Sequence, residues 1–252
     1  MELSGACAFV TDGSGGLGSV IAISLAKEGA NIAVGYRNGL AHAEEVKAAV
    51  EKQGRKAILI RFDQTNPVSV DEALRNVAED YGGCDLLINN AGMAAGGRTL
   101  PHGDLAALTP EIWDEMMVVN VRGPYLTSRA AASYLRKSKW GHIVNLGSTI
   151  GYGTWGASAS YAPSKGAIVP LTRYLTAALA PEVAVNCVAP GLMEDTQMSS
   201  SAPMSFVESW QNQAILGEIT SLNDVASHVV AFCKSGTVAG QVLVVDGGIH
   251  FN

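Results

Sequence analysis

Cysteine and histidine are scarce in this sequence, and neither is clustered. The chain has 252 residues, of which 4 are cysteines and 5 are histidines. The cysteines are Cys7, Cys84, Cys187 and Cys233. Because no Cys-x-x-Cys pair or grouped histidine accompanies them, we expect no disulfide framework and no metal site. We interpret the four residues as core thiols.

Charged residues are also few, and acidic residues outnumber basic ones. Only 16% of the residues are charged, and the net charge is -6. Such a field repels nucleic-acid phosphates and anionic lipids, so we expect neither as a partner. The chain has no apolar run of about 18 residues that would suit a bilayer, and its first residues lack the basic and apolar regions of a signal peptide. We therefore expect a cytoplasmic protein without a membrane partner.

Apolar residues, by contrast, make up 48% of the chain and form short continuous runs rich in Val, Ile and Ala. Runs of this kind, separated by longer helix-like segments, are typical of strands buried on both faces of a parallel sheet. Right-handed crossovers in this order predict an α/β protein with a three-layer Rossmann fold and a doubly wound, mostly parallel sheet of seven strands. The predicted strands are 6–10, 31–36, 57–62, 86–89, 142–146, 183–188 and 241–245, and helices are predicted to begin near Gly16, Ala41, Ser69, Pro110, Ser158 and Leu222, with a short one at 205–214.

A glycine-rich turn follows the first predicted strand directly, with the sequence TDGSGGLG, and an apolar, alanine-rich segment comes next. Glycines let the backbone turn tightly and approach a pyrophosphate, while the helix N-terminus offers N–H groups and a partial positive charge. A strand before and a helix after the turn are what a dinucleotide site requires. The residues predicted to bind the cofactor here are Gly13, Ser14, Gly16, Leu17 and Gly18.

The end of the second strand indicates which nucleotide is bound. Sites for NAD usually place a carboxylate about 20 residues after the glycines, where it holds the ribose hydroxyls. Here Tyr36 and Arg37 occupy that point, and no acid follows until Glu44. A guanidinium suits a 2′-phosphate by charge and by geometry. NADP(H) is therefore the favoured cofactor, and NAD(H) stays possible.

Polar and small residues also follow the third and fourth strands. Asp63 and Gln64 come after the third, where they could hydrogen-bond an adenine. Asn90, Ala91 and Gly92 come after the fourth, where the adenosine ribose would lie. Because the carboxyl ends of parallel strands share one edge of the sheet, these residues are added to the predicted cofactor site.

Three residues in the second half of the chain are suited to proton transfer. Tyr161 and Lys165 are four residues apart at the start of a predicted helix and therefore share one helical face. Transfer of a hydride to a carbonyl carbon needs a proton donor for the oxygen. We expect the ammonium to lower the phenol's pKa towards the operating pH. Ser148, at the end of the fifth strand, is placed to hydrogen-bond the substrate oxygen.

Taken in order, these motifs resemble the short-chain dehydrogenase/reductase family in its classical form, over about residues 5–248. The resemblance implies that Ser148, Tyr161 and Lys165 are catalytic. It also implies that Asn120 kinks its helix and holds a water that links the lysine to solvent, and that Pro190-Gly191 borders the nicotinamide. The Val-Asp-Gly-Gly segment near the C-terminus is similar to 3-oxoacyl-acyl-carrier-protein reductases and to related carbonyl reductases.

The sequence departs from the family pattern at two places. Asp12 stands where the family motif has glycine. We expect it to tolerate the turn, to point away from the pyrophosphate and to cap a backbone N–H. Asp195 stands where relatives often have the threonine that bonds the nicotinamide carboxamide, so we assign that contact to the next residue, Thr196.

Residues 1–252 are predicted to form a single domain, in which about 193–216 acts as a substrate lid. Aromatic and sulfur-containing side chains in and near this segment favour an apolar or aromatic ketone or alcohol as the small-molecule substrate. The family resemblance implies a homotetramer built on the helices that begin near Pro110 and Ser158. The predicted substrate contacts are Tyr152, Trp155, Met193, Met198, Phe206 and Trp210.

Other functions stay open at this point. A 3-oxoacyl-acyl-carrier-protein reductase would use the same residues on a carrier-bound ketone. Enoyl reductases of the superfamily usually space their Tyr and Lys more widely, and epimerases of the extended family need a longer C-terminal region. A dinucleotide sensor without activity would keep the glycine turn but would not need Ser148, Tyr161 and Lys165.

Overall fold

Seven strands form one sheet in the computed structural model, which describes residues 2–94, 104–153, 158–193 and 204–251. The strands are β1 (Cys7–Val10), β2 (Asn31–Tyr36), β3 (Ala57–Arg61), β4 (Leu86–Asn89), β5 (His142–Leu146), β6 (Ala184–Pro190) and β7 (Val242–Val245). The helices are α1 (Gly16–Lys27), α2 (Leu40–Glu51), α3 (Pro67–Tyr81), α4 (Pro110–Met117), α5 (Gly123–Leu135), α6 (Tyr161–Gly166), α7 (Ile168–Leu179), α8 (Met204–Gln213) and α9 (Leu222–Lys234).

The predicted α/β fold is confirmed, and every predicted strand is present with ends that differ by at most two residues. All neighbouring strands are parallel, in the order β3-β2-β1-β4-β5-β6-β7. The direction in which the chain adds strands reverses between β1 and β4, which are neighbours in the sheet. Each of these two strands is followed by a loop that contains glycine. At such a reversal the loops diverge to opposite faces and leave a crevice beyond the carboxyl ends of the strands.

Helices cover both faces of the sheet, which confirms the three layers. Residues of β1 alternate between the two apolar cores: Ala8 and Val10 face one core and Cys7 and Phe9 face the other. Helices α1, α2 and α9 pack on the first face, and α3, α5 and α7 pack on the second. The continuous apolar runs of the sequence follow from this arrangement, because both faces of each central strand are buried.

All four cysteines are buried and free, as predicted. Burial raises the pKa of the Cys187 thiol to about 11 and that of Cys84 and Cys233 to about 12. Within the described ranges, no cluster of His, Cys, Asp and Glu could hold a metal ion. Over the same ranges, every helix is too short or too polar to cross a bilayer.

Two helices begin two or more residues from their predicted starts. Helix α3 begins at Pro67, two residues before the predicted start, because Asn66 caps it by accepting hydrogen bonds from the N–H groups of Val68 and Ser69. Proline at the first helical position gives up no helical hydrogen bond. The helix predicted near Ser158 begins at Tyr161, and the Ser158 hydroxyl accepts a hydrogen bond from the Tyr161 N–H instead.

The helix predicted from Pro110 is interrupted by a π-helical turn over Val118–Arg122. A π turn widens the helix and alters the bonding of its carbonyl groups. The Gln64 amide satisfies one of these by donating to the Val119 carbonyl over 3.0 Å. The turn also brings Asn120 to face the carboxyl edge of the sheet, so the family-implied distortion of this helix is present.

A buried polar network ties the central strands to the helices of the second face. The Asn89 amide donates to Asn145 Oδ1 over 2.9 Å and to Ser128 Oγ over 3.1 Å, and its oxygen accepts from Thr127 Oγ1 over 2.6 Å. Asn145 in turn donates to Thr172 Oγ1 over 2.9 Å. Buried polar groups of this kind are stabilising only while every member keeps its partner.

Asn89→Ala should therefore destabilise the protein. The change leaves the buried Asn145 Oδ1 without its donor and removes one of the hydrogen bonds of Thr127, so we expect the free energy of unfolding to fall by about 2–3 kcal/mol. Asn76→Ala, on an exposed position of α3, is the matched control and should change it by less than about 0.5 kcal/mol. Urea denaturation measures both, and equal losses in the two variants would show that the network does not stabilise the fold.

Candidate active site

The glycine-rich turn connects β1 to α1 and places a bare helix N-terminus at the crevice. Gly15 is the N-cap of α1, and no side chain caps this N-terminus. Backbone and side chains crowd the turn so closely that a Cβ on Gly18 would lie 2.0 Å from the Asp12 carbonyl oxygen. Glycine is therefore required at Gly18. The uncapped N–H groups and the lack of side chains suit a pyrophosphate.

Asn90 and Thr11 hold this turn to the end of β4. Asn90 Nδ2 donates to the carbonyl oxygens of Thr11 and Asp12, each over 3.1 Å. Thr11 Oγ1 accepts from the N–H groups of Asn90 and Ala91, each over 3.0 Å. The two loops on either side of the crevice are thus one hydrogen-bonded unit. Asn90 was predicted to contact the cofactor, and its bonds to the turn were not predicted because they join residues nearly 80 positions apart in the sequence.

Asp12 adopts the left-handed backbone conformation, with φ 50°. The prediction that it tolerates the turn is confirmed, but the prediction that it caps a backbone N–H is wrong. Its hydrogen bonds in the described structure are accepted by its carbonyl oxygen, and its carboxylate lies over Gly15, where a Cβ would be 2.6 Å from Oδ2. Burial raises the pKa of this carboxyl to about 6, and the Arg37 guanidinium opposes the rise.

Tyr36 is buried at the end of β2, and Arg37 follows it on the surface. Asp63 lies after β3 and accepts hydrogen bonds at Oδ1 from the N–H and hydroxyl of Thr65. Its pKa is lowered by those bonds and by Arg37, against the effect of burial. The Gln64 amide nitrogen donates to the Val119 and Ala91 carbonyls, so this nitrogen is engaged within the protein, and the contact of Gln64 with an adenine stays a prediction.

Tyr161 and Ser148 meet at the carboxyl end of β5. Ser148 caps the short 3₁₀ helix Thr149–Tyr152 by accepting from the Ile150 N–H over 3.3 Å. Tyr161, on the first turn of α6, is 5% exposed and packs against Ile112 and Met116. Burial raises the pKa of the Tyr161 phenol to about 12, and its side-chain hydrogen bond with Ser148 opposes the rise.

Lys165 lies one helical turn after Tyr161, as the spacing predicts. Its side chain is buried, its Nζ donates to the Leu146 carbonyl over 3.0 Å, and that nitrogen is 6.0 Å from the centre of the Tyr161 ring. Burial lowers the pKa of this ammonium to about 8. The expectation that it lowers the phenol's pKa is therefore not met in the protein alone, where desolvation of the phenol dominates.

Asn120 projects from the π turn into the same region and is 1% exposed. Its Nδ2 donates to the Met93 carbonyl over 2.9 Å and to Ser164 Oγ over 3.0 Å, and its Oδ1 accepts from the Met93 N–H over 2.8 Å. A Cβ on Gly92 would lie 3.3 Å from both Asn120 Oδ1 and Lys165 Nζ. Glycine at this position therefore leaves space between the amide and the ammonium.

Ser164 is a participant that sequence analysis missed. Its hydroxyl accepts a hydrogen bond from Asn120 Nδ2 and donates one to the Tyr161 carbonyl over 2.7 Å. These two bonds connect α6 to the π turn. A serine between Tyr161 and Lys165 was visible in the sequence. A hydroxyl inside a helix gave no signal of its own, because such residues commonly bond the preceding turn.

The remaining predicted residues that the structure describes lie at the end of β6, after it, on the short 3₁₀ helix and on α8, and Tyr152 lines a pocket with Arg173 and Phe251. Pro190 ends β6, and its carbonyl accepts a hydrogen bond from Ser148 Oγ over 3.4 Å. Gly191 packs closely against Asp246, so that a Cβ on this glycine would lie 2.8 Å from the Asp246 Cβ. The described substrate candidates are partly or largely exposed: Tyr152, Met193, Phe206 and Trp210. Phe206 and Trp210 pair edge to face at 6.2 Å on α8. The predicted residues Trp155, Asp195, Thr196 and Met198 lie outside the described residues.

Fold and site together define a Rossmann-type oxidoreductase that uses a nicotinamide dinucleotide. A family model described as enoyl-(acyl carrier protein) reductase matches residues 13–250. A ketoacyl reductase attributed to the granaticin polyketide synthase of Streptomyces violaceoruber is 36% identical over 246 residues, 96% of this chain and 95% of that protein. The 3-oxoacyl-(acyl-carrier-protein) reductase FabG of Aquifex aeolicus is 29% identical over 256 residues, 99% of each chain.

Solved structures agree. The crystal structure of a short chain dehydrogenase from Burkholderia cenocepacia in complex with NADP is 35% identical, with a TM-score of 0.88 over 99% of each chain. This chain belongs to the short-chain dehydrogenase/reductase family.

The lowered pKa of Lys165 predicts a pH-dependent affinity for the reduced cofactor. The ammonium carries its charge below about 8 and loses it as the pH rises, so an anionic dinucleotide should bind about tenfold more weakly at pH 9 than at pH 7. Fluorescence titration with NADPH measures the dissociation constant. Lys165→Met, which removes the charge and keeps the length, should show a flat profile, and a flat profile in the unaltered protein would contradict the assignment.

Proposed function

We propose that this protein reduces a ketone to a secondary alcohol with NADPH, and that Tyr161 supplies the proton. The observation that carries the proposal is the cluster of Ser148, Tyr161 and Lys165 at the carboxyl ends of β5 and β6, next to an uncapped helix N-terminus. When bound, the nicotinamide supplies the hydride, and it accepts one in the reverse direction.

The residues present fit this cofactor. The glycine turn leaves backbone N–H groups of α1 without a side-chain cap, and a Cβ on Gly18 would collide with the Asp12 carbonyl and disrupt the turn. Gly13, Ser14, Gly16 and Leu17 would complete the pyrophosphate site. Ala91 and Gly92 would border the adjoining ribose, with Pro190 and Gly191 at the nicotinamide. Backbone donors of this kind hold an anion without a lysine or arginine from the turn itself.

The chemistry follows from the protonation states. A phenol with a pKa of about 12 holds its proton at neutral pH, so Tyr161 is ready to donate to the oxygen that becomes the hydroxyl. Ser148 would donate a hydrogen bond to the same oxygen and keep it in line with the phenol. The Lys165 ammonium, charged below about pH 8, would stabilise the phenolate left behind. Cofactor and substrate would complete the lowering of the phenol pKa that the protein alone does not achieve.

Proton return to Tyr161 would run past Asn120. Both Asn120 Oδ1 and Lys165 Nζ border the space that the missing side chain of Gly92 leaves. The family resemblance implies a water near these two groups, which would link the ammonium to solvent. The π turn keeps Asn120 in position, and Ser164 and the Met93 backbone hold its amide.

NADP(H) is the favoured cofactor, and NAD(H) remains possible. The exposed Arg37 follows β2, where a 2′-phosphate would lie, and it is close enough to influence the carboxyls of Asp12 and Asp63. The solved relative from Burkholderia cenocepacia is in complex with NADP. A guanidinium in this position binds phosphate by charge and by paired hydrogen bonds.

The proposed substrate is an apolar or aromatic ketone. Tyr161 packs in an apolar cluster with Ile112 and Met116, and Met93 and Ile150 line it. A second candidate is the ketone of a 3-oxoacyl group on a carrier protein, which the names of the two curated relatives favour. The four-residue spacing of Tyr161 and Lys165 argues against reduction of an enoyl double bond, although the matching family model carries that description.

We also propose a single-domain, cytoplasmic homotetramer with a lid at about 193–216. Aromatic side chains are exposed on the helices predicted to form the subunit contact, namely Trp113 on α4, Tyr125 on α5 and Tyr174 on α7. Large exposed aromatic groups of this kind are enriched at protein interfaces. These exposed aromatic residues support assembly through this face of the molecule.

A panel of ketones and alcohols, followed by the absorbance of the reduced cofactor, tests the proposed reaction. We expect turnover with NADPH on aromatic or aliphatic ketones. Activity confined to ketones attached to a carrier protein or its pantetheine arm would favour the second candidate. Tight binding of dinucleotide without turnover on any member would identify a sensor instead of an enzyme.

Tyr161→Phe should abolish most of the turnover and leave the dissociation constant of NADPH within about twofold, because the phenol acts on the reacting oxygen. Loss of a general acid typically lowers the rate by about 10²- to 10⁴-fold. Tyr134→Phe is the matched control, since Tyr134 lies in the last turn of α5, at the opposite edge of the sheet. Full activity in Tyr161→Phe would exclude the proposed role.

A further inference from the structure

Asp12 and Arg37 follow the ends of two adjacent strands, and the Gly13 N–H donates to the Gly35 carbonyl over 2.7 Å, which holds the glycine turn against the end of β2. Strands β1 and β2 are adjacent and parallel, with Val10 opposite Val34, and the two residues follow the ends of these strands. In doubly wound sheets the residue after β2 meets the ribose 2′ position. Asp12 therefore brings a carboxylate from the end of β1 to the glycine turn, next to the strand whose end carries Arg37.

The turn dictates where this carboxylate points. Asn90 Nδ2 and the Gly15 N–H both donate to the Asp12 carbonyl over 3.1 Å, which holds the backbone in its left-handed conformation. The carboxylate then lies over Gly15, where a Cβ would be 2.6 Å from Oδ2 and 3.0 Å from Cγ. Glycine at 15 thus makes room for an acid at 12, and any larger residue there would displace it.

Arg37 is shared by two carboxylates. Its guanidinium opposes the rise that burial causes in the pKa of Asp12, and it contributes to the lowered pKa of Asp63. Asp63 Oδ1 is already occupied by two hydrogen bonds from Thr65. Asp12 keeps part of its surface in contact with solvent although its carboxyl is partly desolvated, and the hydrogen bonds of that residue in the described structure go to its backbone. Its carboxylate is therefore available to a ligand at this end of the crevice.

We propose that Asp12 sets the nucleotide selectivity of this protein by opposing Arg37. Its negative charge weakens binding of a 2′-phosphate at the guanidinium, and its oxygens accept hydrogen bonds from the hydroxyls of an unphosphorylated ribose. The protein then uses NADPH with a reduced preference and accepts NADH as well. This inference rests on the proposed function, because it concerns the cofactor of the same site.

The opposing charges predict the effect of removing one of them. Asp12→Asn keeps the size and tolerates the left-handed conformation, and Asp12→Gly adopts it without strain. For both variants we expect the ratio of the NADH to the NADPH dissociation constant to rise about tenfold at pH 8, as expected for loss of one unit of charge near a phosphate. Fluorescence titration of each reduced nucleotide measures this ratio without any substrate.

Glu79→Gln is the matched control. It removes the same charge from an exposed position in the last turn of α3, at the opposite edge of the sheet, and should leave the ratio within twofold of its original value. A ratio that stays within twofold in both Asp12 variants, or that changes equally in Glu79→Gln, would overturn the proposal.

The same titrations distinguish a failure of the proposed function from a failure of the proposed role of Asp12. If the unaltered protein binds neither nucleotide, the proposed function fails and this inference fails with it. If it binds both nucleotides but reduces no ketone, the proposed reaction fails alone, and the ratio of dissociation constants still decides the role of Asp12.

Discussion

The hydrogen bonds from the Asn90 side chain to the carbonyl oxygens of Thr11 and Asp12 connect the two strand ends on either side of the crevice. Parallel strands whose connections diverge leave a gap at this point, and nothing in the sheet itself prevents the two loops from separating. The Asn90 amide and the Thr11 hydroxyl together hold the two loops in contact. The glycine turn and the loop after β4 then form one surface, on which a dinucleotide would contact both at once.

Burial dominates the chemistry at the other end of the crevice. Desolvation favours the neutral form of both groups, which raises the pKa of Tyr161 and lowers that of Lys165. The protein alone thus holds a protonated phenol and an ammonium that loses its proton near pH 8. An anionic cofactor would favour the charged lysine, so cofactor binding and preparation of the acid are expected to be coupled.

The π turn positions several side chains and backbone groups of the site at once. By widening the helix at Val118–Arg122 it aims Asn120 at Met93 and Ser164 and leaves the Val119 carbonyl to Gln64. The bonds of Gln64 Nε2 could not be read from the sequence, because the Val119 carbonyl is 55 residues away along the chain. The cap predicted for Asp12 is absent for a related reason, since its carboxylate lies over Gly15.

The sequence by itself determined the fold class, the seven strands, the glycine turn and the shared face of Tyr161 and Lys165, because each depends on periodicity or short spacing along the chain. The tertiary structure alone decided the role of Gln64, the direction of Asp12, the place of Ser164 and the pKa values of the buried phenol and ammonium. Those properties arise from contacts between distant segments and from the degree of burial. Neither is encoded in a local pattern of residues.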